Sequence, residues 1–349
     1  MIKLLEEFVE TVENADAVPV DVWRELLGVA DGDAVGFIAE RARAVAQSAF
    51  GKGVYVRALI EISSFCRNNC LYCGLRCGNK YAARYRLTKE QIMECCREAA
   101  QMGFNTFVLQ GGEDPTQTDE WLADVVTAIK SEFPEKAVTL SVGERSRQGY
   151  ELLRVAGVDR YLLRHETADS EHYSLLHPYS MSLANRCRCL FDLKEFGYQV
   201  GCGMMVGSPG QTVEHLVKDL MFLDELKPQM IGIGPFIPAA GTPFASEKPG
   251  SVEMTLLLIS LLRLRFPAAL IPATTALATL DENGTLKGVF AGANVVMPNM
   301  TPLEYREKYT IYNNKKGRGS ESAQQLELLA RELDSIGYFI DFSRGDYKP

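Results

Sequence analysis

Apolar positions along the chain alternate between two periods. After a region of helical periodicity ending near residue 50, strand-like apolar runs occupy 54–62, 105–110, 137–142, 158–164, 198–207, 230–236, 269–276 and 292–298. Between them lie stretches with the i, i+3, i+4 apolar spacing of amphipathic helices, at 88–103, 121–133, 147–157, 183–197, 212–226 and 254–266. The first of these marks its own ends: Thr88 suits the N-cap, Gln91 completes a capping box, and Gly103 stops the helix.

Strand and helix in strict alternation predict parallel strands joined by crossover helices. Eight such units over about 250 residues predict an α/β fold, a complete (β/α)8 TIM-type barrel. An open doubly wound sheet is the alternative. It fits less well, because polar motifs follow nearly every strand and not one switch point. The run 320–338 predicts a further helix packed outside the barrel. No internal repeat or low-complexity linker interrupts the pattern. The expected organisation is an N-terminal helical extension (1–50), a barrel (51–315) and a C-terminal helix packing on it (316–349).

Composition narrows the class. The 349 residues are 46% hydrophobic and 23% charged, with a net charge of −8 that argues against a nucleic-acid partner. The first twenty residues are acidic and amphipathic and lack the basic start and apolar core of a secretion signal. The longest apolar run, 254–262, ends at Arg263 and is too short to span a bilayer. A soluble, cytoplasmic protein without a membrane partner is expected.

Nine cysteines are an odd number in a long chain, which disfavours a disulfide framework. Cys66, Cys70, Cys73 and Cys77 cluster, whereas Cys95, Cys96, Cys187, Cys189 and Cys202 fall in apparent helices or strands. Clustered thiols in a reducing compartment point to a metal. Cys66-x3-Cys70-x2-Cys73 follows the first strand, at the mouth where barrels of this kind carry their chemistry. Structural zinc takes four protein ligands, usually as two Cys-x2-Cys pairs, and no second pair exists. A [4Fe–4S] cubane on three thiolates would leave one iron open for a small molecule. The bland alternatives are a zinc loop or chance core cysteines.

Cys-x3-Cys-x-aromatic-Cys after strand one resembles the radical S-adenosylmethionine (SAM) superfamily. The resemblance implies that the open iron chelates the amino and carboxylate groups of SAM. One electron then breaks a C–S bond and releases a 5′-deoxyadenosyl radical. Cys77 is read as a bystander thiol, since a fourth thiolate would exclude SAM. Tyr72 is either core packing or, by the resemblance, a neighbour of the adenine.

Gln110-Gly111-Gly112-Glu113 ends the second strand, where two glycines let backbone carbonyls approach a ligand. It resembles the superfamily element that grips SAM's ammonium, an all-donor group needing acceptors. Ser141 to Glu144 ends the third strand, and Arg164-His165-Glu166-Thr167 the fourth. Glu166 can accept from a ribose diol, while Arg164 or Arg186 suits SAM's carboxylate. For Arg186 a solvated helix face is an equal alternative. The backbone around Ile237, after the sixth strand, can pair with adenine edges. Thr139, Thr274 and Thr275 read as lying within strands. Hydroxyls inside a barrel need partners, either each other and water or a polar substrate deep in the lumen.

The motifs "RYRLT", "LQGGEDP", "RYLLRHETA", "MVGSPGQT", "GIGPFIP", "IPATTA" and "ANVVMPNMTP" together closely resemble the HydE family, the radical SAM maturases of [FeFe]-hydrogenase, over residues 50–315. The resemblance implies assembly of the two-iron part of the hydrogenase H-cluster. It also implies a small, cysteine-bearing iron–carbonyl–cyanide substrate whose sulfur the radical attacks. Residue by residue it places that substrate near Thr139, Thr274, Thr275, Met297 and Tyr309. Other hydrogenase maturases and a reductant such as ferredoxin or flavodoxin would be partners. Some members carry a second cluster on C-terminal cysteines. This chain has no cysteine beyond Cys202, so one cluster is expected. Rival readings are a methylornithine synthase-like radical SAM mutase, the weaker case of biotin synthase, and an iron–sulfur carrier or scaffold without radical chemistry.

Overall fold

A computed structural model describes residues 2–29, 32–315 and 322–349. Its strands are β1 (Gly53–Val56), β2 (Ala58–Ser63), β3 (Thr106–Gly111), β4 (Ala137–Ser141), β5 (Arg160–Leu162), β6 (Gln199–Cys202), β7 (Met205–Val206), β8 (Met230–Ile231), β9 (Gly234–Pro235), β10 (Val295–Val296) and β11 (Phe339–Asp341). A six-stranded parallel sheet runs β2-β3-β4-β5-β6-β8. Beyond β8 the pairing continues through single bridges, Met230 to Leu270, Pro272 to Val295, and Asn299 back to Leu59 on β2.

Alternation along the strands sorts the side chains. Ile60, Ile62, Phe107, Leu109, Val138 and Leu140 belong to the main apolar core. The intervening residues face the other way. Register aligns Leu59, Val108 and Thr139 in one row and Glu61, Gln110 and Ser141 in the next. The second row, nearer the C-terminal strand ends, is polar.

The helices form where the caps predict. Thr88 Oγ1 accepts from Gln91 N at 3.3 Å while Gln91 Oε1 accepts from Thr88 N at 2.9 Å, opening Lys89–Gln101. Ser146, Ser182 and Ser251 cap Arg147–Val155, Leu183–Glu195 and Val252–Arg265 by accepting from the backbone N–H three residues on, without the reciprocal side-chain bond. Three N-terminal helices, Ile2–Asn14, Val20–Leu27 and Gly32–Phe50, pack on Val252–Arg265 and bury Trp23 completely. Among the described residues no helix is long and apolar enough to cross a membrane.

Four expectations need correction. The run 54–62 is two strands, because buried Arg57 turns its guanidinium toward Gly345 O (3.3 Å) and β1 joins a separate sheet, β10-β1-β11. The runs 198–207 and 230–236 each break in two. Between the halves, a Cβ at Gly203 (φ +143°) would lie 2.0 Å from Gly232 O, so only glycine fits the crossing. The run 269–276 pairs only at Leu270 and Pro272, and Thr274 instead caps the helix Thr275–Leu280. Thr274 and Thr275 therefore lie past a strand and not within one. Finally, the terminal helix Ser322–Ser335 leads into β11, which pairs in parallel with β1. Residues 316–321 of the expected C-terminal segment, including the first two of the run 320–338, lie outside the described residues.

Candidate active site

The cysteine loop leaves β2 and is tied down by the motif that follows it. Arg84 donates to the carbonyls of Ser64 (2.5 Å), Leu75 (2.9 Å) and Arg76 (2.8 Å). Arg86 lies 3.6 Å over the Phe65 ring and bonds Asp114 at 2.6 and 3.0 Å. Segment 309–311 presses on the loop: Gly74 N donates to Ile311 O at 2.9 Å, and a Cβ on Gly74 would lie 1.9 Å from Thr310 O. Cys66, Cys70 and Cys73 are half-exposed free thiols on this fastened loop, and Cys77 is exposed at its edge.

Burial above all pushes these thiols upward. Burial chiefly, and then the charges of Cys73 and Cys66, push Cys70 well above the usual thiol range. Burial and Cys66 push Cys73 up to about 12. Clustered thiols whose ionisation burial and near neighbours disfavour suit a shared cationic partner. Among the described residues no three His, Cys, Asp or Glu side chains form a set for a single metal ion. Three thiols leave a structural zinc one protein ligand short, whereas a cubane held by three thiolates keeps one iron open, so the donor set suits a cluster better than zinc.

The Gly-Gly-Glu element packs directly against the loop. A Cβ on Gly112 would lie 2.3 Å from Phe65 O and 2.6 Å from Cys66 Cβ. Arg67 N donates to Glu113 O at 2.9 Å. The Glu113 carboxylate accepts from Arg67 Nε at 3.0 Å and from Glu144 N at 2.8 Å, so it braces three loops together. Gly143 (φ +79°) makes room for it. Ser141 ends β4 in the same row as Gln110.

Arg164, Glu166 and Arg186 converge beyond β5. Glu166 adopts a left-handed backbone (φ +67°), held by Glu166 N to Gly203 O (3.1 Å) and Met205 N to Glu166 O (3.3 Å). Its Oε2 is buried without a hydrogen bond, and so is Arg164 Nε. Arg164 donates to Met204 O and stands 3.4 Å from Glu166. Arg186 is buried, which removes the solvated-face alternative; it bonds Glu144 at 2.6 Å and the carbonyl of Arg164. Burial opposes its charge, but Tyr173, Glu144 and Tyr72 outweigh burial and keep it protonated. Tyr72 packs among Leu176, Met205, Phe236 and Phe244, with its hydroxyl 3.2 Å from His177 Nε2. Burial depresses His177 to about 3, so it is neutral. Ile237 is buried immediately after Phe236.

Behind Glu166, His165 lies 3.0 Å from Cys202 Sγ and 3.1 Å from Asp219 Oδ1. Burial disfavours its protonation, yet Cys202 and Asp219 together raise it to about 10. His165 thus anchors the strained turn from behind.

In the lumen, Thr139 Oγ1 is buried without a partner. Gln110 Nε2 donates to the buried Tyr309 hydroxyl at 3.3 Å. Lys315 pairs with fully buried Glu61, which also accepts from Asn299 Nδ2 at 3.0 Å. Met297 packs beside Met230, Leu270 and Val295. Thr274 Oγ1 faces Leu277 N (3.5 Å), and a Cβ on Gly234 would lie 2.7 Å from it. The sequence reading assigned no role to Glu61, Lys315 or His177, and Glu144 entered only as the end of the Ser141–Glu144 motif. For Glu61 a signal existed, a lone carboxylate in an otherwise apolar strand.

The radical SAM superfamily model matches residues 60–223. The [FeFe] hydrogenase maturase subunit HydE of Thermotoga maritima is 46% identical over 309 residues, 88% of each chain. The 3-methylornithine synthase of Methanosarcina acetivorans is 30% identical over 340 residues, 93% of this chain and 95% of that protein. The crystal structure of methylornithine synthase superposes with a TM-score of 0.82 at 26% identity, covering 96% of this chain and 97% of that one. Fold and site together define a radical SAM enzyme, whose cofactors are a [4Fe–4S] cluster on three cysteines and SAM. Within that class the chain belongs to the HydE family of hydrogenase maturases.

Proposed function

We propose that Cys66, Cys70 and Cys73 hold the cluster and that the enzyme acts in assembly of the [FeFe]-hydrogenase H-cluster. With the cluster and SAM bound, the site supplies one-electron cleavage of the sulfonium to a 5′-deoxyadenosyl radical. Gly111 and Gly112 offer carbonyl acceptors to SAM's ammonium on a backbone braced by Glu113, with Ser141 alongside. Arg164 or Arg186 pairs its carboxylate, Glu166 accepts from the ribose, and Tyr72 and the backbone at Ile237 flank the adenine. The observation that carries this reading is Glu166, strained in backbone and holding a buried carboxylate oxygen that has Arg164 at 3.4 Å but accepts no hydrogen bond, beside the cysteine loop.

The substrate is a small cysteine-bearing iron–carbonyl–cyanide complex, bound in the lumen near Thr139, Thr274, Thr275, Met297 and Tyr309. The unpartnered Thr139 hydroxyl supports a hydrogen-bond acceptor there. The single bridges beyond β8 support a closed (β/α)8 barrel at residues 51–315, between an N-terminal helical extension and a C-terminal segment packed on it. Partners are other hydrogenase maturases and a ferredoxin- or flavodoxin-type reductant, in the cytoplasm. The greater identity to the hydrogenase maturase supports this reading over the methylornithine synthase alternative. Anaerobic reconstitution with iron and sulfide, then dithionite and SAM, is expected to yield 5′-deoxyadenosine. A reconstituted cluster that gives no product would favour an iron–sulfur carrier.

A further inference from the structure

The segment that carries the three cysteines differs in charge from the rest of the chain. Between Glu61 and Glu90 there is no acidic residue, but there are six basic ones: Arg67, Arg76, Lys80, Arg84, Arg86 and Lys89. A second acid-free stretch runs from His172 to Phe191. The two meet at the cysteine loop, where Leu71 N donates to Leu176 O at 2.9 Å and Cys70 Sγ lies 3.7 Å from Met181 Sδ. The chain as a whole carries −8, so this loop holds a local excess of cations in an acidic chain.

Neutralisation is only partial. Arg67 pairs with Glu113, Arg86 with Asp114, Lys89 with Asp124, and on the second stretch Arg186 pairs with Glu144 and Arg188 with Asp192. Arg76, Lys80 and Arg84 make no ion pair among the described residues. Arg76 donates to Asn69 O, and Arg84 to backbone carbonyls of the loop. These cations stand on the loop that bears Cys66, Cys70 and Cys73. Each stretch also carries a large exposed aromatic, Tyr81 at 88% exposure and Tyr179 fully exposed. Tyrosines beside cations are the composition of contact surfaces, where a rigid ring supplies area at low entropic cost.

We propose that this face of the cysteine loop is the docking surface for an acidic, low-potential one-electron carrier protein. The inference rests on the proposed function, which requires the cluster to gain one electron from outside; the carrier is oxidised by one electron and the cluster reduced by one. Electron transfer falls steeply with distance, so a carrier must approach the cysteines closely, and Cys66, Cys70 and Cys73 are partly exposed on this loop with Cys77 exposed at its edge. Charge attraction brings an acidic carrier to it and repels it from the remaining acidic surface.

The test uses reconstituted holoenzyme under anaerobic stopped flow, with reduced flavodoxin as the acidic carrier and dithionite as the small reductant. Lys80→Glu and Tyr81→Ala alter exposed side chains outside the proposed cofactor and substrate sites. With flavodoxin, the wild-type rate of cluster reduction is expected to fall with rising salt. Lys80→Glu should slow it roughly three- to tenfold at low ionic strength and flatten the salt dependence. Tyr81→Ala should slow it at every salt concentration. Rates with dithionite should match wild type in both variants. Unchanged flavodoxin rates, or losses shared equally by dithionite, would overturn the surface. Failure of wild-type enzyme to cleave SAM with dithionite would count against the enzymatic reading instead.

Discussion

The two ends of the sheet treat their buried polar groups in opposite ways. At the N-terminal ends of the strands, the C-terminal tail closes the floor. Fully buried Arg160 donates to Thr106 Oγ1 (3.1 Å), Gln199 Oε1 (3.3 Å), Arg344 O (2.8 Å), Gly345 O (3.2 Å) and Asp346 Oδ1 (2.6 Å). Thr106 and Gln199 each donate in turn to the tail; among the described residues Arg57 Nε and, before β10, Asn294 Nδ2 are exceptions at this end. At the C-terminal ends, Thr139 Oγ1, Arg164 Nε, Glu166 Oε2 and Tyr173 Oη all lie buried without a hydrogen bond. A folded chain tolerates such orphans at about 1–3 kcal/mol each. Their concentration at one end separates a floor built for stability from a mouth built for ligands.

Substitutions at the two ends should therefore fail differently. Cys70→Ala has the largest effect: no [4Fe–4S] cluster by electron paramagnetic resonance after reconstitution, and no 5′-deoxyadenosine. The apo-protein should melt near the wild-type temperature, because the loop is held chiefly by Arg84, Arg86 and Asn79 and not by Cys70. A large drop in melting temperature would make Cys70 a core residue and blur the contrast.

Arg160→Leu comes next and should show the reverse. It leaves Thr106, Gln199 and two tail carbonyls short of donors, while Asp346, about a third exposed, regains some hydration. A loss of about 3 kcal/mol in unfolding free energy is expected, at the lower end of buried ion-pair disruptions. Denaturant titration measures it. SAM affinity of the folded fraction should be unchanged, and a weakened affinity would mean that floor and mouth are coupled.

What the sequence revealed divides along a related line. Local signals held: the Thr88 capping box, the strand–helix alternation and the spacing of Cys66, Cys70 and Cys73 all depend on residues a few positions apart. Signals carried by tertiary partners did not. Arg57 looks like one polar position in a continuing strand, and only the tail that covers it explains the break. Thr274 follows apolar residues at strand-like density, yet it caps a helix. Glu61 and Lys315 lie 254 residues apart, so nothing local announces their pairing. The parallel pairing of β11 with β1 is hidden for the same reason. Arg186 was ambiguous because a helix period does not say which face meets a loop from another strand.

Thr139→Val gives the smallest change and the sharpest contrast. In most buried sites this exchange costs stability, because the hydroxyl loses a partner. Here the hydroxyl has none, so valine removes an unpaired group at nearly constant volume. Unfolding free energy should hold or rise by up to about 1 kcal/mol. SAM cleavage without substrate should persist, since Thr139 lies on β4 in the row below Ser141, toward the N-terminal strand ends. Consumption of the organometallic substrate should fall, because a donor to its cyanide or carboxylate groups is gone. Stability and turnover would then move in opposite directions, which a purely structural threonine cannot produce. A variant that lost stability and kept full turnover would place the substrate elsewhere in the lumen.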